Sequence, residues 1–242
     1  MTESIQFAAQ KILTAATTPV FFLDTCAILD IVNAGHLETL QTQVIVAANH
    51  LLRMAVGPPG IWLVTTQMVQ DEFQRNISNT IETLDAQIKI LDAKIVQCRD
   101  AVQYSSPTQV LPSIKFRDFG LSEKLGDLAR SVAEAAIVLE DDSECLRAAR
   151  ARNNAGRPPS HRKQQLPDCE IIEHYFALMH HLRTNGFTPK CIFVSSNSQD
   201  YGKPAESFLQ DEFSVHELEF VSNLAWARSL IPWCNPEAPL IR

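Results

Sequence analysis

The chain has 242 residues, 45% apolar and 20% charged, the proportions of a folded globular protein. No apolar run approaches the roughly 20 residues of a membrane span, and the N-terminus lacks a basic-then-apolar leader pattern, so neither a membrane protein nor a secreted one is expected. A net charge of -7 excludes a generally basic nucleic-acid binder, so any nucleic-acid surface must be local. Six scattered cysteines without a C-x-x-C pair suggest neither a zinc site nor a disulfide framework, and read as reduced thiols in a cytoplasmic protein.

In chain order, residues 4–16 read as a leading helix. Pro19 to Leu23 form a short apolar run that reads as a buried strand and ends abruptly at Asp24. A helix follows from about Cys26 to Ala34. On that stretch alone Asp24 suits either a helix cap or a site, because a carboxylate at the end of a buried strand must be solvated, paired or bound to a cation. Asp30 lies further along that helix and suits a surface or salt-bridge role. Gly35 and His36 break the helix and another runs from Leu37 to Val56. Gly57-Pro58-Pro59-Gly60 is a turn. Ile61–Val64 is the second strand, and Thr65-Thr66 caps a helix in which Asp71 and Glu72 fall early.

That helix is expected to run from about Gln67 to Gln103, about 55 Å. Ile77, Ile81, Leu84, Ile88, Leu91, Ile95, Cys98 and Val102 alternate spacings of four and three, a heptad seam. Tyr104 to Gly120 reads as the turn-back, and Leu121, Leu125, Leu128, Val132, Ala135 and Leu139 repeat the spacing. Two long antiparallel helices in a hairpin follow, inserted at residues 73–150 within a single domain spanning 1–242. Such a seam serves core packing, or forms an arm through which the chain homo-oligomerises or clamps a substrate.

From Arg147 to Lys163 there are six basic residues, with His161, and no acid. Arg157-Pro158-Pro159 must be a loop. In a chain of net negative charge such a loop suggests a phosphate partner, with Arg157, His161, Arg162 and Lys163 as its contacts. Asp168 then stands at the start of a helix whose buried face is Ile171, Ile172, Tyr175, Phe176, Leu178, Met179 and Leu182. Lys190–Ser195 is a third strand, followed by Ser196-Asn197-Ser198-Gln199-Asp200. Pro204 begins another helix, Val215–Val221 is a last strand, Ser222 caps a final helix, and the tail with Pro232, Pro236 and Pro239 is irregular.

Alternating strands and helices specify a mainly parallel sheet with helices on both faces. Parallel strands share one carboxyl edge, where Asp24, Glu72, Asp168 and Asp200 converge from separate segments. Carboxylates gathered in one cleft repel unless cations neutralise them, and an all-oxygen set suits Mg²⁺ or Mn²⁺. No glycine-rich phosphate loop is present, which disfavours a nucleotide-binding or phosphatase-like α/β protein.

The order strand–DTxxxxD, strand–TxxVxxE, DxxI on a helix and strand–SSNSQDY resembles the PIN-domain nucleases. Here these pieces are Asp24-Thr25…Asp30, Thr66…Val69…Glu72, Asp168…Ile171 and Ser195…Tyr201. The Phe193–Asn197 phrase and the Arg157-Pro158-Pro159 loop are similar to a bacterial PIN-like subfamily with a long helical insertion. The resemblance covers about residues 19–230. It implies a three-layer α/β/α sandwich and a metal-dependent endoribonuclease that leaves 5′-phosphate and 3′-hydroxyl ends, as in the toxins of toxin–antitoxin or anti-phage systems. A partner antitoxin or defence-system protein goes with that implication. Carried over, Asp24, Glu72, Asp168 and Asp200 are catalytic metal ligands for one or two Mg²⁺ or Mn²⁺ ions. Thr25, Ser196 and Asn197 support them, and Glu173 is a substitute ligand or a structural residue. The family motif T-N-D-x-D-F departs here, since Ser198 replaces its first acid. That implies one ion held firmly and a second only with substrate, or a catalytically weakened module that binds RNA or a partner without cutting.

Overall fold

The computed structural model describes residues 2–14, 18–36, 39–57, 60–106, 112–163 and 165–231. Pro58 and Pro59 of the expected turn, the start of the helix expected from Leu37, and the proline-bearing tail lie outside the described residues. The strands are β1 (Thr2–Glu3), β2 (Val20–Leu23), β3 (Trp62–Thr66), β4 (Ile137–Leu139), β5 (Cys191–Val194), β6 (Gly202–Lys203), β7 (Glu206–Ser207) and β8 (Leu218–Val221). The helices are α1 (Ile5–Leu13), α2 (Thr25–Asn33), α3 (Thr42–Val56), α4 (Gln67–Ser105), α5 (Leu121–Glu134), α6 (Ser143–Asn154), α7 (Leu166–Thr184), α8 (Ser198–Tyr201), α9 (Gln210–Val215) and α10 (Leu224–Ser229).

Six strands form one sheet in the order β1-β4-β3-β2-β5-β8, and every pairing in it is parallel. β2 and β5 are apolar and buried at every position, as expected for strands covered on both faces. The helices fall into two packed groups, α1, α6 and α7 in one and α2, α3, α5 and α10 in the other, with α4 against α2 and α5. The architecture is α/β and consistent with a three-layer sandwich. No helix among the described residues is long and apolar enough to cross a membrane.

The strand order has a consequence for function. The chain winds outward from β2 through β3 and β4 on one side, then through β5 and β8 on the other. The winding therefore reverses between β2 and β5, and in open parallel sheets the crevice beyond the carboxyl ends at such a reversal is where ligands bind. Leu23 pairs with Val194 in register, so the next residues, Asp24 and Ser195, meet at that crevice.

α4 is a single 39-residue helix, about 58 Å long. Thr66 caps it, its hydroxyl accepting from the Val69 N–H. The seam is buried at Ile77, Ile81, Leu84 and Ile88, whereas Cys98 and Val102 are exposed. α5 meets α4 in reverse order. Asp92 accepts from the backbone N–H groups of Phe116 and Arg117, Gly126 lies against Ile81, and Gln70 donates to the Ala133 carbonyl.

Several expected elements differ. The second arm does not run to Leu139: α5 stops at Glu134, and Ile137–Leu139 is β4, inserted beside β3. A three-residue apolar strand shares its pattern with a helix turn, so periodicity could not separate them. Asp141 and Asp142 therefore belong to a loop, and Asp142 caps α6 by accepting from the N–H groups of Glu144 and Cys145. Pro204 starts no helix. It lies in the tight turn of a two-stranded antiparallel ribbon, β6 and β7, where Gly202 takes a positive φ of 80° and a Cβ would run into the Glu206 carbonyl. Val215 ends α9 instead of opening a strand, and Asn223, not Ser222, caps α10. Residues 39–41 precede α3, and β1 is an edge strand of two residues, too short to carry a pattern in the sequence.

Candidate active site

Asp24 follows the last residue of β2 and is buried, with 3% of its surface exposed. It is both a cap and the centre of a cluster. Its Oδ1 accepts from the Thr25 N–H at 2.8 Å, and its Oδ2 accepts from the Ser195 hydroxyl at 2.6 Å and the Cys26 thiol at 3.1 Å. Burial raises the Asp24 carboxyl above its ordinary range, the three hydrogen bonds offset part of that rise, and Glu72 adds to it. The Ser196 N–H donates to Cys26 Sγ at 3.2 Å. Burial, and then the neighbouring Asp24 charge, pushes the Cys26 thiol well up, which makes it a positioning donor rather than a nucleophile.

Glu72 lies in the second turn of α4. Thr25 Oγ1 donates to its Oε2 at 2.7 Å, so one residue joins the two acids. Asp168 falls in the first turn of α7, behind Pro167, where the helix start favours an acid. α7 is anchored on β2 by Tyr175, whose hydroxyl donates to the Leu23 carbonyl at 2.6 Å and whose ring packs edge-on against Phe22. That bond fixes Asp168 relative to Asp24. The Asp168 carboxyl is pushed up to about 8, first by burial, then by Asp24, Asp200 and Glu72, with Lys163 opposing. The other three expected acids therefore all act on Asp168, and Glu72 also acts on Asp24.

Asp200 is buried at 5% exposure in the short helix α8. Asn197 holds it, accepting from the Asp200 N–H and donating to its Oδ2 at 2.8 Å, while Gln165 reaches the same oxygen at 3.4 Å. Ser198 is exposed at the first position of α8. Next to Asp200, Tyr201 is fully buried, and its hydroxyl has no hydrogen-bond partner among the described residues. Burial raises that phenol well above its usual range, and Asp24 and Asp168 raise it further. A buried hydroxyl near two acids with no partner of its own is costly unless a ligand meets it.

Among the described residues, no three His, Cys, Asp or Glu side chains stand close enough together to enclose a cation. The chemistry of the set nonetheless fits one. Its donors are all oxygen, and burial with the neighbouring acids pushes the Asp168 carboxyl up, a conflict that a cation would relieve. Such a set suits Mg²⁺ or Mn²⁺ over zinc.

The other expected site residues divide. Thr25 and Asn197 sit in the cluster as supports. Ser196 is exposed and touches it only through Cys26, whereas Ser195 makes the direct bond to Asp24. Glu173 is not in the cluster: it pairs with Arg152, which is buried in α6 and also holds Glu212 through two bonds of 2.8 Å. Of the basic loop, Arg157 also pairs with Glu212, and His161 packs its ring on Phe208 at 4.3 Å. Arg162 lies over the same Phe208 ring, exposed, and exposed Lys163 is the cation felt by Asp168. Sequence reasoning missed Ser195, Cys26, Gln165 and Tyr201. The first needed the β2–β5 register and the last needed the burial of α8, although both lie inside the Ser195…Tyr201 stretch.

Comparison with known proteins places nothing beside this chain: no protein-family model, no curated protein and no solved structure matches it.

Proposed function

We propose that the chain is a Mg²⁺- or Mn²⁺-dependent endoribonuclease of the PIN type, hydrolysing RNA phosphodiesters. One observation carries the reading. Three carboxylates from three other segments act on Asp168 at the carboxyl edge, where the winding reverses, beside a buried tyrosine hydroxyl without a partner among the described residues. Such an arrangement costs stability and has no packing role, which marks it as functional.

In this reading Asp24, Glu72, Asp168 and Asp200 hold the ion or ions, which supply Lewis-acid stabilisation of charge developing on the phosphate oxygens. Ser195, Thr25 and Asn197 fix three of those carboxylates. Tyr201 donates into the cleft, and Arg162 and Lys163 receive the RNA backbone. The reversed order of contacts between α4 and α5 supports the antiparallel hairpin, shorter on its second arm than the heptad spacing suggested. A role as a toxin or anti-phage effector, with an antitoxin as partner, is part of the same proposal.

The test is cleavage of end-labelled RNA with Mn²⁺ by the wild type and Asp24→Asn. Loss of cleavage in the variant, with 5′-phosphate products from the wild type, supports the reading; equal cleavage by both sinks it. A second reading, an RNA-binding module that does not cut, is favoured by the open spacing of the acids and by Ser198. It predicts retained RNA binding with no cleavage by either protein.

A further inference from the structure

A cavity of about 510 Å³ opens at the same sheet edge as the four acids. It is walled by the end of α2, the residues before α3, and the turns that follow β5 and β8. Asp30, Asn33, His36, Ser196, Ser222 and Asn223 carry its chemistry. It adjoins the first site through a short chain of contacts. Asp30 and Ser196 both line the cavity, the Ser196 N–H donates to Cys26 Sγ, and Cys26 donates to Asp24.

The lining selects among ligands. Among the described residues, no Lys or Arg faces the cavity, so it does not suit a phosphate. It mixes amide and hydroxyl groups, which both donate and accept, with one carboxylate that only accepts and one imidazole face. That is the complement of a nucleobase edge, since unpaired bases are read by hydrogen bonds on their edges and by stacking on side chains that include His. The carboxylate accepts weakly from Asn33 at 3.4 Å, and a carboxylate has about four acceptor positions, so capacity remains.

We propose that this cavity is a nucleobase pocket that seats the base next to the scissile phosphate and prefers bases bearing an exocyclic amino group. Asp30 is its specificity-determining residue. The identification of the ligand as RNA rests on the ribonuclease reading; the pocket chemistry does not. Guanine offers the carboxylate two adjacent N–H groups, cytosine and adenine offer an amino group, and a carboxylate is the known partner of the cytosine amino group. Uracil offers one N–H flanked by two carbonyl oxygens that repel the carboxylate.

The test uses the full chain without metal and four free ribonucleosides as probes, with binding followed by saturation-transfer NMR. Guanosine, cytidine and adenosine are expected to bind, and uridine about tenfold more weakly. Asp30→Ala should cost the amino-bearing nucleosides about tenfold. Asp30→Asn keeps the size of the side chain and supplies a donor, so it should restore uridine relative to cytidine. Thermal unfolding of both variants separates lost binding from lost fold, and the Asn variant decides the matter if the Ala variant unfolds. No binding by any nucleoside, equal binding of all four, or an unchanged preference in Asp30→Asn overturns the proposal. Cleavage by the wild type against Asp24→Asn reports the ribonuclease reading separately, so either can fail alone.

Discussion

Asp168→Asn isolates the charge conflict at the candidate site. The carboxyl stands at about 8 in the folded chain against an ordinary 3.8. Between those values the folded state holds a proton that the unfolded state has released. The stability associated with Asp168 is therefore fully present below about pH 4 and is lost as pH rises through about 8. At about 1.4 kcal/mol per pH unit, the whole gap sets an upper limit of about 6 kcal/mol. Asp168 is only partly buried and water relaxes around it, so about 2–3 kcal/mol is expected. Asp168→Asn should thus match the wild type near pH 4 and exceed it by about 2–3 kcal/mol at pH 9 in chelator, measured by urea unfolding. Added Mn²⁺ should stabilise the wild type and leave the variant nearly unmoved. A variant less stable at pH 9, or a stability difference that does not change with pH, would refute the convergence of the acids.

Three further outcomes follow from the same geometry. Asp24→Asn should lower RNA cleavage by about 100-fold or more, read from single-turnover rates, because it removes a proposed ligand at the centre of the cluster. Glu173→Gln should lower stability by about 1–3 kcal/mol through its buried Arg152 partner, while cleavage by the folded fraction stays at the wild-type rate; a cleavage defect would return Glu173 to the site. Arg162→Ala with Lys163→Ala should weaken binding to single-stranded RNA and reduce the log–log salt slope by about 1.4, whereas Arg157→Ala, already paired with Glu212, should leave the slope unchanged.

The parts of the fold that repeat a strong local pattern were legible in the sequence. β2 and β5 are short apolar runs with an abrupt polar end, and α4 and α7 carry long helical stripes, so their type and order could be read from the residues alone. β4 was not legible, because Ile137-Val138-Leu139 continues the spacing of α5 and only its neighbours, β1 and β3, make it a strand. The four acids were legible as residues beyond strand ends or at helix starts. Their supports were not, because the Ser195–Asp24 bond spans 171 positions and depends on register. The basic loop misled for a related reason. Charge counts along the chain do not reveal that Glu212, 60 positions from Arg152, neutralises part of it.

Asp24 admits two roles from sequence, cap and ligand; the structure shows the cap, and the second oxygen bears on the proposed ligand role. A cap uses one carboxylate oxygen on the helix N–H, and here Oδ1 does so while Oδ2 takes a hydroxyl and a thiol. Those donors hold the carboxylate in one orientation without neutralising it. A purely structural Asp at this place would need only the cap, and the fold could then dispense with the charge of Glu72 tied to it through Thr25. Keeping three more acids in the same cleft works against folding, as the raised Asp168 carboxyl records. The supports run the same way, since Thr25, Ser195 and Asn197 each donate a side-chain or backbone hydrogen to a carboxylate and none brings a full positive charge. A set of acids held in place but left short of positive charge is the feature on which the proposed cation role rests, and the pH and Mn²⁺ dependence of Asp168→Asn tests it.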